Sequence, residues 1–344
     1  MALRWFGPGD PVTLDNIRQV PGVESVVSAV YDVEVGTAWP RKNVAALKRE
    51  IESNGLQLAV IESIPVHEDI KLGRATREAL TSNYCESIRV LGELEIPVLC
   101  YNFMPVFDWT RTDLAMRLDD GSYALAYDHD VLEQIDLSRG TGDLPGWATA
   151  YSAAELNDLL AAYRAIDEED LWQNLQWFLE RVVPVAEKAN VKLAVHPDDP
   201  PWPIFELPRI LTDAAAFERL IGLVDSELNG VTFCTGSLGA SADNDLPAMI
   251  DMIGERIHFA HCRNVKRSGA QSFNEVAHPS RFGDVNMLEV IRALKAANFN
   301  GCMRPDHGRM IWDEQGRPGY GLYDRALGAT YLQGLWEATT ETNA

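Results

Sequence analysis

Eight short apolar runs, each ending in polar or turn residues, divide the chain into regular segments. Several of them are continuously apolar instead of alternating, which is typical of strands buried on both faces of a parallel sheet. The predicted strands are Leu3–Phe6, Val26–Val30, Leu58–Glu62, Val98–Asn102, Leu193–His196, Val231–Cys234, His258–Cys262 and Cys302–Asp306.

Stretches with helical spacing of apolar residues lie between these runs. They cover 43–54, 169–189 with Pro184 expected to kink the helix, 284–298 with Asp284 as its expected cap, and Asp324–Glu337. Eight strands alternating with helices predict a single (β/α)8 TIM barrel, and a doubly wound sheet is the second possibility.

The chain is longer than a plain barrel requires. A barrel needs about 250 residues, and this chain has 344. Residues 103–168 interrupt the alternation after the fourth strand, so we interpret 1–344 as one barrel domain with a long insertion there. Insertions after barrel strands lie over the active-site face, which predicts a lid. A surface excursion or a dimer contact explains the insertion equally well.

Charge and composition narrow the classes of partner. The chain has 30 basic and 51 acidic residues, a net charge of −21, and no Lys/Arg-rich run. This balance disfavours nucleic acid and anionic membranes as partners.

We find neither a signal peptide nor an apolar stretch near the ~18 residues that span a bilayer. The five widely spaced cysteines are unlike a disulfide framework, so we expect a cytoplasmic protein.

The last four predicted strands end in side chains that bind metals. They are His196 in LAVHPDDPP, Cys234 in VTFCTGS, His261 in HFAHCRN and Asp306 in MRPDHG. Taken singly, each fits a structural role: a hydrogen-bonded histidine, a core thiol or a helix cap. Their joint occurrence at one face of a barrel predicts a site for a divalent transition metal. His258 lies on the opposite side of its strand from His261 and is not expected to be a ligand.

These blocks, with RWFGPGDPV, YNFMPVFDWTR and PGYGLYDRA, resemble the mannonate dehydratase family along the whole chain. The resemblance implies a barrel similar to xylose isomerase. It also implies that D-mannonate is dehydrated to 2-dehydro-3-deoxy-D-gluconate in hexuronate (glucuronate) catabolism, with Mn²⁺ or Fe²⁺ as cofactor. The family's metal ligands match His196, Cys234, His261 and Asp306.

Such a reaction removes the proton on C2 and expels the hydroxyl on C3, so it needs positioned proton donors and acceptors. The candidates are His307 and Tyr320, with Tyr323 as a local competitor, and the sequence does not say which acts at which carbon. Arg4 and Arg263 are candidates for binding the substrate carboxylate, with Lys266 as a weaker one, and Asn102 and Trp109 for lining the sugar pocket.

Two other functions stay open from the sequence. A metal-dependent isomerase or epimerase uses the same kind of enediolate on the same fold. A sugar-acid-binding protein without activity is the third hypothesis, although it has little need of four metal ligands. We expect a homo-oligomer, with a dimer as the default.

Overall fold

The structure is a computed structural model that describes residues 1–137 and 151–339. The chain begins with strand β1 (Ala2–Arg4), helix α1 (Leu14–Ile17), β2 (Ser25–Ser28), α2 (Arg41–Ser53), β3 (Gln57–Glu62), α3 (Glu68–Lys71), α4 (Arg77–Glu93) and β4 (Val98–Tyr101). The next elements are β5 (Asp113–Arg117), β6 (Tyr123–Asp128), α5 (His129–Leu132), α6 (Ala153–Tyr163), α7 (Glu168–Ala189), β7 (Lys192–Val195), α8 (Ala214–Leu223) and β8 (Asn229–Cys234). The chain continues with α9 (Thr235–Leu238), α10 (Leu246–Ile253), β9 (Ile257–His261), β10 (Asn264–Gly269), β11 (Ser272–Val276), α11 (Met287–Ala296), β12 (Cys302–Arg304) and α12 (Leu322–Ala338).

Eight parallel strands form one sheet in the order β1-β2-β3-β4-β7-β8-β9-β12. Strands β1 and β12 also contact each other, which brings the two edges of the sheet together as a barrel. Each of the eight predicted strands overlaps one of these, so the predicted TIM barrel is confirmed. The continuous burial of β4, β8 and β9 agrees with strands covered on both faces.

The four predicted helical stretches overlap α2, α7, α11 and α12, with one correction. Helix α7 begins at a capping box from Asp167, contains Pro184 and ends at Ala189, before Asn190 with its φ of 53°. Helix α11 begins three residues later than predicted, and Asn286, not Asp284, accepts the capping hydrogen bond from the Glu289 amide. The Asp284 carboxylate instead accepts a hydrogen bond from the Arg267 amide, which removes it from the helix terminus.

A second sheet of four antiparallel strands has the order β10-β11-β6-β5. Strands β5 and β6 come from the predicted insertion 103–168, which also contains α5 and α6, whereas residues 138–150 of that insertion lie outside the described residues. Strands β10 and β11 follow barrel strand β9, and the sequence analysis did not predict this hairpin. We call these four strands the cover sheet, because Glu275 on β11 and Arg111, just before β5, contact residues at the barrel end.

The barrel interior determines which side chains reach the site. One small apolar cluster combines residues from six barrel strands: Ala2, Val27, Val60, Val98, Cys100, Ala194 and Phe259. The larger core cluster joins the strands to the surrounding helices, so the small cluster lies inside the barrel. No helix among residues 1–137 and 151–339 is long and apolar enough to cross a membrane.

Candidate metal centre and active site

The candidate site lies one layer above the apolar barrel interior. Side chains on a strand alternate between its two faces, so residues two positions beyond the interior cluster point to the same side. This places at one level the strand-end residues Arg4, Glu62, Asn102, His196 and His261. Thr232 donates a hydrogen bond to Cys100 inside the barrel, which puts Cys234 on the inner side as well.

His196, Cys234 and His261 converge as predicted. Their potential ligand atoms lie within 4.8 Å of one another, and His196 Nε2 is 3.2 Å from His261 Nδ1. The His196 Nδ1 donates to the Pro197 carbonyl at 2.7 Å, which leaves its Nε2 free to face the cluster. Burial lowers the pKa of both imidazoles, so they are held in the neutral form that binds metals.

Asp306 lies beside these three residues, just beyond the end of β12, with a left-handed φ of 64°. Its Oδ1 is 3.7 Å from His261 Nδ1, and its Oδ2 is 3.8 Å from Cys234 Sγ. Arg304 Nη2 and Arg263 Nη1 each lie 2.8 Å from one of its oxygens. Although burial opposes ionisation, His307 and these arginines hold the pKa of the Asp306 carboxyl well below its usual range.

The donor set fits a divalent transition metal. Two neutral imidazoles, a sulfur and an ionised carboxylate match the ligand preferences of such ions. His261 Nδ1, 3.2 Å from His196 Nε2 and 3.7 Å from Asp306 Oδ1, faces these candidate ligands. Burial raises the pKa of the Cys234 thiol to about 12, so a cation there would have to displace its proton.

The sequence analysis missed Glu62 and Arg304, which lie in the same layer. Glu62 Oε1 is 2.9 Å from Arg304 Nη2 and 3.6 Å from His261 Nε2. Burial opposes ionisation, yet Arg304, His261 and Arg4 lower the pKa of Glu62 to about 2. Glu62 was predictable, since it ends a predicted strand, but only the last four strand ends were considered as metal ligands.

His307 and Tyr320 form a direct contact next to the candidate ligands. The Tyr320 hydroxyl is 3.0 Å from His307 Nε2, and the two rings meet edge to face. Burial raises the pKa of Tyr320 to about 12, so its hydroxyl keeps its proton. The competitor Tyr323 is 42% exposed and packs against Trp312.

On the other side of the His307 ring, Nδ1 lies 2.8 Å from Glu275 Oε1 on β11 of the cover sheet. The sequence analysis did not single out Glu275. Its segment, SFNEV, shows some polar alternation but no feature that points to a barrel strand end. The contact therefore depends on where the cover sheet lies over the barrel.

Three of the predicted substrate-binding residues line a small cavity, whereas Arg4 and Lys266 do not. A small cavity of about 50 Å³ is lined by Asn102, Trp109 and Arg263, together with His196, Asp306, His307 and Tyr320. Arg4 pairs with Glu62 at 3.1 Å and donates to the Tyr31 hydroxyl at 3.0 Å. Lys266 is exposed and does not line this cavity.

Positive charge in the site is balanced by buried carboxylates. Arg263 pairs with Asp199 and Asp306, each at 2.8 Å, and Arg304 pairs with Glu62 and Asp306. Several guanidinium N–H groups still lack a hydrogen-bond partner in the described part of the chain, namely Arg4 Nε, Arg263 Nε, Arg304 Nε and Arg304 Nη1. The site therefore keeps unused donors for an anionic ligand.

Named relatives align with almost the whole chain. A mannonate dehydratase 2 from Halalkalibacterium halodurans is 55% identical over 342 residues, covering 99% of each chain. A mannonate dehydratase from Streptococcus uberis is 51% identical over 343 residues, again covering 99% of each.

Solved structures show the same relationship. The mannonate dehydratase from Streptococcus suis serotype 2 superposes with a TM-score of 0.93 at 49% identity, covering 100% of this chain and 95% of that one. A xylose isomerase domain protein from Planctomyces limnophilus is only 12% identical but has a TM-score of 0.57, which shows a shared fold. The sequence profile of the family described as D-mannonate dehydratase (UxuA) matches residues 1–344, and the chain belongs to this family, whose members depend on a metal.

Proposed function

We propose that this protein is a hydro-lyase that converts D-mannonate to 2-dehydro-3-deoxy-D-gluconate and water, with Mn²⁺ or Fe²⁺ bound at the strand ends. The observation that carries the proposal is the convergence of His196, Cys234 and His261 beside the hydrogen-bonded pair of His307 and Tyr320. Membership of the D-mannonate dehydratase family supports the substrate and the reaction.

His196, Cys234, His261 and Asp306 are the residues that would hold the ion. A divalent metal bound there supplies a positive charge that stabilises the negative charge developing on the substrate carboxylate when C2 loses its proton. Sulfur and nitrogen ligands disfavour Mg²⁺ and Ca²⁺, which prefer oxygen. This preference supports a transition metal, and Mn²⁺ and Fe²⁺ are our candidates.

His307 and Tyr320 carry the two proton transfers in this proposal. Removal of the C2 proton needs a base, and departure of the C3 hydroxyl as water needs an acid. Both side chains line the small cavity that Asp306 also lines. They are therefore within reach of a substrate held between the candidate metal ligands and Trp109.

We propose that the unused arginine donors bind the anionic end of the substrate. Arg263 lines the cavity, and Arg4, which pairs with the cavity-lining Glu62, offers a buried Nε. Asn102 and Trp109, which line the cavity from β4 and the loop after it, would contact the hydroxyl-bearing carbons. Asn102 also lines a neighbouring cavity of about 590 Å³, which offers room for the far end of a six-carbon chain.

The remaining predictions concern the cellular location, the class of substrate and the assembly of the protein. The five thiols are free in the structure, which supports a reducing cytoplasmic location. The net charge of −21 supports a small-molecule substrate over nucleic acid or a membrane. We keep the homo-dimer as the default assembly.

Activity after metal exchange tests this proposal. Protein stripped with a chelator is reconstituted separately with Mn²⁺, Fe²⁺ and Mg²⁺, and each form is incubated with D-mannonate or with its C2 or C3 epimer. We expect the 2-keto-3-deoxy acid from D-mannonate with Mn²⁺ or Fe²⁺ only. Equal activity of the stripped protein would contradict the metal requirement.

A further inference from the structure

We propose that Glu275 is a positioning residue for the proton-transfer pair: its carboxylate accepts a hydrogen bond from His307 Nδ1 and so points Nε2 of the ring at Tyr320. This inference rests on the proposed function and adds to it the roles of the two groups. Glu275 belongs to the cover sheet and not to the barrel. Through this residue the cover sheet contributes to the proton transfer.

The proton on the His307 ring can be placed from its neighbours. The Arg111 and Arg263 guanidinium groups lie 3.0 and 3.6 Å from Glu275 Oε1 and keep the carboxylate ionised, so it has no proton to donate. At 2.8 Å from Glu275 Oε1, the proton must therefore come from His307 Nδ1. A bare Nδ1 would place two lone pairs against each other at that distance.

Arg263 offers the competing arrangement. Its Nη1 lies 3.0 Å from His307 Nδ1 and would donate to that nitrogen if the proton were on Nε2 instead. However, the same Nη1 already donates to Asp306 Oδ2 at 2.8 Å. The contact with Glu275 is shorter and joins a donor to a full negative charge, which makes it the stronger hydrogen bond.

In the neutral ring that acts as a base, a proton on Nδ1 leaves the pair with one acceptor and one donor. Nε2 is the acceptor, and the Tyr320 hydroxyl, which keeps its proton at neutral pH, is the donor. Only Nε2 can then remove the C2 proton, and only Tyr320 can protonate the departing C3 hydroxyl.

The proton balance closes within the pair. The C2 proton moves to His307 Nε2, the C3–O bond breaks, and the Tyr320 proton leaves with that oxygen as water. The proton on Nε2 then passes to the Tyr320 oxygen across their 3.0 Å contact, which restores both groups. The resulting enol tautomerises to the keto acid.

Buried partners hold Glu275 in place. Arg111, just before β5, donates from Nη2 to Glu275 Oε1 at 3.0 Å and binds both oxygens of Asp199 at 2.9 and 3.0 Å. Strand β11 pairs with β6 in the cover sheet, with Asn274 opposite Ala126. The segments after β4 and after β9 must therefore come together before Glu275 can reach His307.

Two substitutions at position 275 separate positioning from general support of the fold. Glu275→Leu removes the acceptor, whereas Glu275→Gln keeps an acceptor oxygen at nearly the same place. The matched control is Asp324→Asn, which weakens another buried carboxylate pair, with Arg309 at 2.8 Å, that does not include His307. Activity, KM for D-mannonate, metal content and thermal stability are measured for all four proteins.

We expect Glu275→Leu to lower kcat by at least about tenfold, the usual lower range for losing a carboxylate that orients a histidine. KM and metal content should change little, and Glu275→Gln should recover part of the loss. Asp324→Asn should lower the melting temperature without this loss of kcat. Wild-type kcat in Glu275→Leu, or equal losses in all three variants, would overturn the proposal.

A spectroscopic measurement tests the hydrogen bond without relying on turnover or on the Leu variant folding. Chelator-stripped protein labelled with ¹⁵N-histidine, which holds no paramagnetic Mn²⁺ or Fe²⁺, should show a far-downfield N–H proton signal from His307 that disappears in His307→Asn and shifts in Glu275→Gln. A spectrum without such a signal would assign the Nδ1 contact to Arg263 and overturn the proposal. If the wild type does not convert D-mannonate, the proposed function fails, while this signal still reports on Glu275 independently.

Discussion

The Tyr320 hydroxyl and His307 Nε2 lie 3.0 Å apart beside the candidate metal ligands, and no other residue separates them. A phenol and an imidazole in direct hydrogen-bond contact can exchange a proton without a water molecule between them. The two groups therefore act together in proton transfer, and the predictions about the mechanism depend on this contact.

Tyr320→Phe should keep the fold and the bound metal but lower kcat by about 10²–10⁴-fold, the usual contribution of a general acid. D-Mannonate labelled with deuterium at C2 should still lose its label to water in this variant, because His307 remains able to remove it. Mass spectrometry of the recovered substrate measures the exchange. A variant with an unaltered rate would assign Tyr320 to packing.

His307→Asn provides the comparison for that experiment. This variant should lose both dehydration and the exchange of the C2 label, since it lacks the base. If His307→Asn exchanges the label and Tyr320→Phe does not, the two residues have the opposite roles and Tyr320 is the base.

Cys234→Ser should lower metal content and activity together. A serine hydroxyl is a poorer ligand for a transition metal than a thiolate, and the buried position offers no replacement. Elemental analysis of the purified protein gives the metal content. The control is Cys85→Ser, at a buried thiol on α4 away from the site, which should keep both metal and activity. Full metal occupancy in Cys234→Ser would remove this residue from the ligands.

The Glu275 carboxylate should make stability depend on pH in acid. Its pKa in the folded protein is about 2, below the ordinary value of 4.5, so the folded state binds this proton less readily than the unfolded state. The stabilisation is therefore complete above about pH 4.5 and is lost as the pH falls through the folded pKa. The difference in melting temperature between wild type and Glu275→Gln should narrow from pH 4.5 downward. A difference that stays constant would contradict the predicted pH dependence.

Arg111→Met should destabilise the protein by about 3–5 kcal/mol, the usual result of removing one partner of a buried charge pair. The guanidinium is fully buried, and its loss leaves Arg263 to balance the charges of both Asp199 and Glu275. Urea denaturation measures the free energy of unfolding. The control Arg18→Met breaks an exposed pair with Asp15 and should cost less than about 1 kcal/mol. Similar costs for both would mean that the cover sheet does not depend on Arg111.

The barrel and the candidate ligands could be predicted from the sequence because both depend on local patterns. Buried parallel strands are continuously apolar, and the residue that ends each run lies at the same face of the barrel. His196, Cys234 and His261 were found by this rule. Glu62 obeys it too, so it was predictable in principle.

Glu275 and Arg111 could not be found in this way. They are 164 positions apart, and they meet only because two hairpins from different barrel loops form one sheet. No local periodicity encodes such a pairing. The error at Asp284 has a similar cause, since its carboxylate binds the Arg267 amide on β10 instead of capping α11.

The product formed from D-mannonate tests the central claim most directly. Protein reconstituted with Mn²⁺ is incubated with D-mannonate, and the products are separated and identified by NMR. We predict 2-dehydro-3-deoxy-D-gluconate, formed by wild type and lost in Cys234→Ser. An epimer or isomer of mannonate as the only product would show an isomerase or epimerase instead, and unchanged substrate would favour a protein that only binds it.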